Sequence, residues 1–452
     1  MPYDLPANDL PAGVSEWLAK LGGGTITRLD RAVARREAYF VEVSRPDNSV
    51  LKGFLRLERN PDPKNPSSLK KEIEIVRALK GSGVPVAEVY GSDDTLNCVL
   101  FSHIPGRADL QNMERKQQNA VMRDFMDVVA RMHTLDLSKL SLPPLKVPAN
   151  AKECALDEMD AVLAHLSDFV ASYRDPLMTY GIDWLRRFAP KHVERISLLQ
   201  GDTGPVNFMF DGDRVSALFD FEWGHLGDPM EDLGNICVRE FWNPSGGLDG
   251  MMKLYEEKSG IKVALDSVRY YRVQQQMRGM VGIHKATIEG DPHEPLAWYL
   301  AYRYVGDRAT CEAISEAMGI AIDIPEFPKE DKKRDPLALA ASWALKHDIE
   351  PAVKTPLAAS RARDVDVMVR CMERVARYGA EIDAIECKEM SALLGAPVSS
   401  VKDGFEKLDA AILTHKIPDE AMVRYLTRRA FRAEWLYQPS ADLCPDRKWA
   451  KL

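Results

Sequence analysis

Residues 198–234 read LLQGDTGPVNFMFDGDRVSALFDFEWGHLGDPMEDLG. Two apolar runs stand out in and around this stretch, Ile196-Ser197-Leu198-Leu199 and Val215-Ser216-Ala217-Leu218-Phe219. Their composition suits short buried strands that together make an acid-bearing hairpin. An acid follows each run, Asp202 after the first and Asp220 after the second, and Asn207 lies five residues beyond Asp202. Loops that leave strand ends can bring two carboxylates and an amide oxygen to one point.

That donor set suits phosphoryl transfer. A hydroxyl attacking a phosphoryl group needs a base at hydrogen-bond distance, which Asp202 can supply. Mg²⁺ takes hard oxygen ligands, one or two from protein and the rest from phosphate and water, and Asn207 and Asp220 supply that number. Asp202, Asn207 and Asp220 follow the Asp-x₄-Asn…Asp order of kinase catalytic loops. Glu222 is either a further metal-facing acid or a solvated one. Gly227-Asp228-Pro229 reads as a helix start, with Asp228 as cap and Pro229 in the first turn, where Asp228 would hold the metal loop in place; Asp232 is read as structural.

With this motif pair in place, the chain resembles the aminoglycoside-phosphotransferase-like kinases over roughly residues 15–320. The resemblance implies an α+β, bilobal protein-kinase-like fold with an antiparallel small lobe and a mainly helical large lobe, and ATP and Mg²⁺ as cofactors. It makes Asp202 the catalytic base and Asn207 and Asp220 the metal ligands. It also implies that Arg56, on a strand, and Glu72, on the next helix, occupy the basic–acidic pair of the small lobe. Phe101 to His103 becomes the hinge whose backbone meets adenine. Two positions depart from the pattern. Gln200 replaces the usual His before Gly-Asp, and the phosphate-covering stretch Arg31–Glu37 has no glycine, so Arg35 or Arg36 would have to act by charge.

The wording from Asp220 to Gly234 is similar to a branch that includes the kinase-like domain of some acyl-CoA dehydrogenases and bacterial kinases of 4-hydroxyacyl-CoA. The stretches Glu386–Gly395, Leu408–Ile412 and Met422–Leu436 resemble the helical companion protein of those bacterial kinases. The resemblance therefore implies a small-molecule acceptor, with CoA thioesters among the candidates. Arg269, Arg272, Arg278, His284, Lys285, Arg303 and Arg308 fall in helices expected to flank that acceptor, where phosphates would want cations. Two alternatives stand beside this reading: a kinase for another alcohol or phenol, and a nucleotide-binding scaffold without catalysis. The intact Asp202 argues against the scaffold.

Working outward, Ala38–Val43 and Val50–Leu57 read as strands around an Arg45–Asn48 turn, with Val84–Val89 and Asn97–Phe101 as further strands. Leu5–Leu21 reads as a short amphipathic helix. Ser67–Leu79 reads as a helix with Leu69, Ile73, Val76 and Leu79 in one stripe, and Val121, Phe125, Val128, Val129 and Met132 mark another. The proposed domains are 1–102, the nucleotide-binding lobe; 103–320, the catalytic and acceptor lobe; 321–336, a Pro- and charge-rich linker; and 337–452, an all-α domain. In the last, Val365, Met368, Val369, Met372 and Ala376 form the expected buried stripe.

The 452-residue chain is 45% hydrophobic, 28% charged and carries a net charge of −8, ordinary for a folded protein and unlike a nucleic-acid binder. Seven scattered cysteines without a C-x-x-C pair fit a reducing compartment. The N-terminus lacks the basic-then-apolar pattern of a signal peptide, and no apolar run has membrane-spanning length. The expectation is a cytoplasmic protein that engages neither membrane nor nucleic acid.

Overall fold

The computed structural model describes residues 10–32, 37–59, 61–62, 64–291 and 294–452. It is an α+β chain that divides into two compact units: Met1–His165, Pro190–Tyr271 and Leu452 in one, Leu166–Ala189 and Arg272–Lys451 in the other.

The first unit begins with α1 (Val14–Gly22) and an antiparallel sheet of β1 (Thr25–Arg31), β2 (Ala38–Ser44), β3 (Val50–Leu57), β4 (Val89–Asp93) and β5 (Cys98–Ser102), ordered β1-β2-β3-β5-β4. The inward residues of β2 and β3, Tyr39, Val41, Val43, Leu55 and Leu57, pack with Val14 and Leu18 of α1 into one core. α2 (Leu69–Leu79) starts where the Ser68 side chain accepts the Lys71 N–H at 3.2 Å, and it buries all four residues of the expected stripe. α3 (Arg115–His133) buries Val121, Phe125, Val128, Val129 and Met132 as periodicity requires, and α4 (Ala151–His165) follows.

Four short strands carry the motif stretch: β6 (Ser197–Leu199), β7 (Phe208–Asp211), β8 (Arg214–Leu218) and β9 (His225–Gly227). The expected hairpin of the two apolar runs does not form. β6 pairs with β9, and β8 pairs with β7 across a tight turn at Gly212-Asp213. The Asp-Gly-Asp turn signal lies between β7 and β8, so local closure wins over pairing of the two more apolar runs. α7 (Pro229–Trp242) and α8 (Met251–Ser259) complete this unit.

The second unit is helical: α5 (Ser167–Ser172), α6 (Pro176–Arg187), α10 (Leu296–Met318), α11 (Pro336–Ala344), α12 (Pro356–Leu394), α13 (Val401–Leu413), α14 (Asp419–Leu436) and α15 (Gln438–Ala441). α9 (Leu265–Glu289) runs from the first unit into the second. Residues 320–335 carry neither helix nor strand. Asp175 caps α6, and its other carboxylate oxygen accepts from Arg429 of α14 at 2.8 Å, tying segments 254 residues apart.

Three further expectations change. The helix read from Leu5 begins at Val14; residues 1–9 lie outside the described residues. Val84–Val89 is not a strand: Val86 makes one parallel bridge to Leu218, and the Leu218 N–H reaches the Pro85 carbonyl at 2.8 Å. Pro85 has no N–H for a ladder, and pairing resumes only at Val89. On α12, Val365 and Met372 are exposed, whereas Val367, Cys371, Tyr378 and Ile382 are buried. The helix meets two separate clusters, one with Ala297 and one with Leu436, so its buried face follows those contacts rather than a single stripe.

No described helix is long and apolar enough to cross a membrane. The seven cysteines are free thiols, and six are buried.

Candidate functional site

β6 delivers the chain into Gln200-Gly201-Asp202. Gly201 has φ +79°, and a Cβ there would lie 2.2 Å from the Trp223 carbonyl oxygen, so no other residue fits this turn. The loop is anchored from beneath. Asp232 accepts the N–H of Gln200 at 2.9 Å and of Gly201 at 3.0 Å, and contacts His133 Nε2 at 3.1 Å. Burial works against its charge, but His133 and these backbone donors hold its carboxyl below the usual range. Asp228 caps α7 as expected, accepting the Met230 N–H at 3.0 Å. Support of the loop falls to Asp232, one turn further along.

Asn207 sits five residues after Asp202 and folds back onto it. Its Nδ2 donates to the Asp202 carbonyl at 2.7 Å and to Asp202 Oδ2 at 3.0 Å. Turning the amide this way leaves Oδ1 as its open acceptor. The preceding Val206 has φ +72°, costly for a β-branched residue. Gln200, fully buried, donates through Nε2 to the Asn207 carbonyl at 3.1 Å and the Phe219 carbonyl at 2.6 Å. The Phe219 N–H in turn reaches the Asn207 carbonyl at 3.2 Å. The Gln thus staples the Asp202 loop to the strand end that bears Asp220, the orienting task expected of a His in its place.

Asp220 also has positive φ, +64°. Its Oδ1 lies 3.3 Å from Arg56 Nη1. The same Nη1 donates to Glu72 Oε2 at 2.5 Å, and Nη2 donates to Glu222 Oε2 at 3.3 Å. Burial disfavours the Arg56 charge, but Glu72, Asp220 and Glu222 outweigh it and push the guanidinium well above its usual range. Arg56 and Glu72 therefore meet as expected, and they meet at Asp220. Glu222 is neither solvated nor free: it is 1% exposed and held by Arg56.

Sequence reasoning missed Arg239. Its guanidinium grips both oxygens of Asp202, Nε reaching Oδ1 at 2.9 Å and Nη2 bonding Oδ2. The signal was available, because Arg239 lies seven residues after Asp232 and hence on the same face of α7. It missed His133 as well, which α3 contributes from about a hundred residues away.

The hinge residues are placed differently from one another. Phe101 is buried in β5, and His103 is exposed, with its ring 6.5 Å from that of Phe40. The Ser102 N–H donates to the Glu88 carbonyl at 2.7 Å and the His103 N–H to the Lys52 carbonyl at 3.2 Å, so the sheet itself uses both amides. Arg35 and Arg36 lie outside the described residues. The seven basic residues of α9 and α10 are largely spent inside the protein. Arg272 pairs with Glu316 at 2.5 Å, Arg308 with Glu312 at 2.6 Å, Arg303 donates to Tyr173 at 2.9 Å, and His284 contacts Asp307 at 2.7 Å. Arg272 and His284 thereby join α9 to α10, and Arg308–Glu312 lies within α10.

Asn207 and Asp220, the donors expected to hold a metal, offer oxygen chemistry that fits Mg²⁺. Among Arg56, Glu72, Asp220 and Glu222, one guanidinium faces three carboxylates. The surplus negative charge, with Asp220 part-exposed and Asn207 Oδ1 open, suits a hard divalent cation.

His225, just past this loop, is a buried cation. Its Nδ1 contacts the Trp223 carbonyl at 2.9 Å and its Nε2 contacts Glu231 at 3.2 Å. Burial opposes the charge, but Glu231 and Glu158 prevail and hold the ring at about 9, against an ordinary 6.5. A raised cationic pKa stabilises the fold fully below the unfolded value and loses that contribution as pH climbs through the folded one. Thermal stability should therefore fall between pH 6.5 and 9, and His225→Gln should flatten that slope in melting curves. An equal slope in the variant would contradict the pairing.

Comparison with known proteins places this geometry. The chain is 24% identical over 263 residues to acyl-CoA dehydrogenase family member 11 of Homo sapiens, and equally to that of Pongo abelii. The match takes in 53% of this chain and 33% of the human relative, so the chain corresponds to about a third of that relative's length. Among solved structures, an aminoglycoside phosphotransferase candidate from Ralstonia eutropha superposes with TM-score 0.51 at 21% identity, covering 66% of this chain and 94% of that one. Choline kinase from Streptococcus pneumoniae gives TM-score 0.50 at 13% identity, covering 68% and 98%. These two likenesses concern the fold. The phosphotransferase enzyme family model, APH, matches residues 26–270, more than half of the chain, and with the site described above this chain belongs to that family of small-molecule kinases acting on hydroxyl groups.

Proposed function

We propose that the chain transfers the γ-phosphoryl group of ATP to a hydroxyl of a small acceptor, with Asp202 as the base and Asn207 and Asp220 as Mg²⁺ ligands. The observation that supports this most is the position of Asp202, oriented at once by Asn207 and by the two-pronged grip of Arg239. A carboxylate fixed from two sides loses little freedom when it receives a hydroxyl proton.

In this reading, Asp202 takes the acceptor's proton as its oxygen bonds to phosphorus and the bond to the bridging oxygen of ADP breaks. Bound Mg²⁺ supplies charge neutralisation on the phosphates. Arg56 is held by Glu72 and Glu222, and it steadies Asp220 beside the nucleotide. The backbone of Phe101 to His103 remains the proposed hinge, with the Ser102 and His103 amides already used by the protein and the carbonyl groups left to meet adenine. Gln200 works as a staple, so its presence does not favour a non-catalytic scaffold.

The relatives named for acyl-CoA dehydrogenase direct the acceptor search toward CoA thioesters that carry a hydroxyl. An ADP-release screen over hydroxyacyl-CoAs, free hydroxy acids, aromatic alcohols and aminoglycosides tests this. Turnover confined to the thioesters is expected. Preferential turnover of an alcohol, phenol or aminoglycoside would replace the acceptor class, and no ADP release with any acceptor would count against the kinase reading itself.

A further inference from the structure

The helical unit holds two adjoining cavities that the kinase reading does not use. The first, about 410 Å³, lies between the extended segment at 330–334, α12 and α15. Arg370, Arg374 and Arg377 reach it from one face of α12, at spacings of four and three residues, and Lys332 and Arg334 come from the extended segment. Three acids share the wall, Glu330, Glu373 and Asp442, so positive charge prevails.

The five cations are not equally engaged. Arg374 donates to Glu330 at 2.6 Å and to the Trp435 carbonyl at 2.9 Å, and Arg377 pairs with Glu373 at 2.7 Å. These two build the wall, and Lys332 is held by Glu381 at 3.0 Å. Arg370 uses only Nε, toward Asp366 at 3.0 Å, and Arg334 comes no nearer than 3.9 Å to Glu373. Their remaining guanidinium donors have no hydrogen-bond partner among the described residues. Guanidinium forks left open in a concave, positively charged wall match phosphate oxygens in geometry and charge.

The second cavity, about 370 Å³, shares Gln438 and Asp442 with the first. Phe327, Phe431 and Trp435 give it an aromatic side, and Arg308, Arg447 and Lys448 with Glu434 and Asp446 line the rest. Phe327 stacks on Trp435 at 6.0 Å between centroids with an 18° interplanar angle, and Arg374 lies 4.2 Å over the Trp435 ring. Phe327 nevertheless remains 39% exposed. An aromatic shelf beside a cationic pocket suits a ligand with a flat ring at one end and phosphates at the other.

We propose that these paired cavities bind an adenine nucleotide bearing two or more phosphates, free or as the handle of a larger molecule, at a site apart from the kinase motif. All its residues belong to the helical unit, and the inference does not depend on the kinase reading. The phosphates take Arg334 and Arg370, and the ring takes Phe327.

Calorimetric titration of the full chain with Mg²⁺–AMP-PNP tests it. Two binding events per chain are expected. Asp220→Ala should weaken one by about tenfold to a hundredfold, and the double variant Arg334→Glu, Arg370→Glu should weaken the other by about tenfold or more, since both side chains are exposed enough to change without disturbing the core. Phe327→Ala should weaken that same event, and inorganic pyrophosphate should compete for it. Titration with ADP and with coenzyme A separates the sources: the tighter of the two identifies a free nucleotide or a nucleotide handle. A single wild-type event that is indifferent to Asp220→Ala and weakened by the charge reversal would refute the kinase site and leave this one standing. A single event weakened by Asp220→Ala, or a second event indifferent to the charge reversal, would overturn the proposal.

Discussion

Asp202→Asn should lower the rate of phosphorylation by about 10²–10⁴-fold while AMP-PNP binding stays near the wild-type level. The substitution keeps the size of the side chain and removes its ability to take a proton. It also replaces one oxygen by an NH₂ group that cannot accept from Arg239, so part of the loss will come from the broken grip. Asp220, proposed to hold the nucleotide's metal, is untouched, and Asn207 keeps its bond to the residue-202 carbonyl at 2.7 Å even if its 3.0 Å contact with the side chain changes. Two readouts are therefore needed, single-turnover phosphorylation and AMP-PNP affinity. Activity retained within tenfold would contradict the assignment of Asp202 as base, and a parallel collapse of nucleotide affinity would point to a general disruption of the loop. Arg239→Ala offers a comparison, since it should reduce the rate less than Asp202→Asn by leaving the carboxylate present but loosely oriented.

What the sequence revealed about this site depended on distance along the chain. Asp202 and Asn207 are five residues apart, their spacing is diagnostic, and the structure joins them directly. Asp220 follows a strand later, and Asp228 announces its helix through Pro229. The Arg56–Glu72 pair came only through family resemblance, because sixteen residues of strand, loop and helix carry no readable contact. That Arg56 also reaches Asp220, 164 residues on, follows from the packing of the sheet and had no local signature. Glu222 illustrates the same gap: an acid two residues past Asp220 looks solvated until Arg56 is placed beside it.

The fold was legible in proportion to periodicity and turn chemistry. α2 and α3 declared themselves through full apolar stripes, and β2 and β3 through alternation around a tight turn. The short strands β7 and β9 were obscured, being four and three residues long, and so the pairing of β6 and β8 was misassigned. α12 misled for a different reason. Over 39 residues it serves two clusters, so no one stripe describes it. The basic residues of α9 and α10 looked like a ligand surface because a sequence does not display the acids that meet them. Arg308 finds Glu312 one turn away, but Arg272 finds Glu316 only across helices.

The central claim is that an amide oxygen and a carboxylate, brought together by the Gln200 staple and the Arg56 cluster, hold the metal of a bound nucleotide. Asp220→Ala tests it directly. Removing this carboxylate leaves Arg56 with Glu72 and Glu222, so the cluster keeps its internal balance and the fold should survive. The nucleotide, however, should lose the benefit of Mg²⁺, a drop of about tenfold to a hundredfold in affinity. The decisive measurement is calorimetric titration of AMP-PNP into wild type and Asp220→Ala, each with and without Mg²⁺. The account predicts that Mg²⁺ tightens binding at the kinase site of the wild type and has no such effect in the variant. An identical Mg²⁺ dependence in both proteins would contradict it.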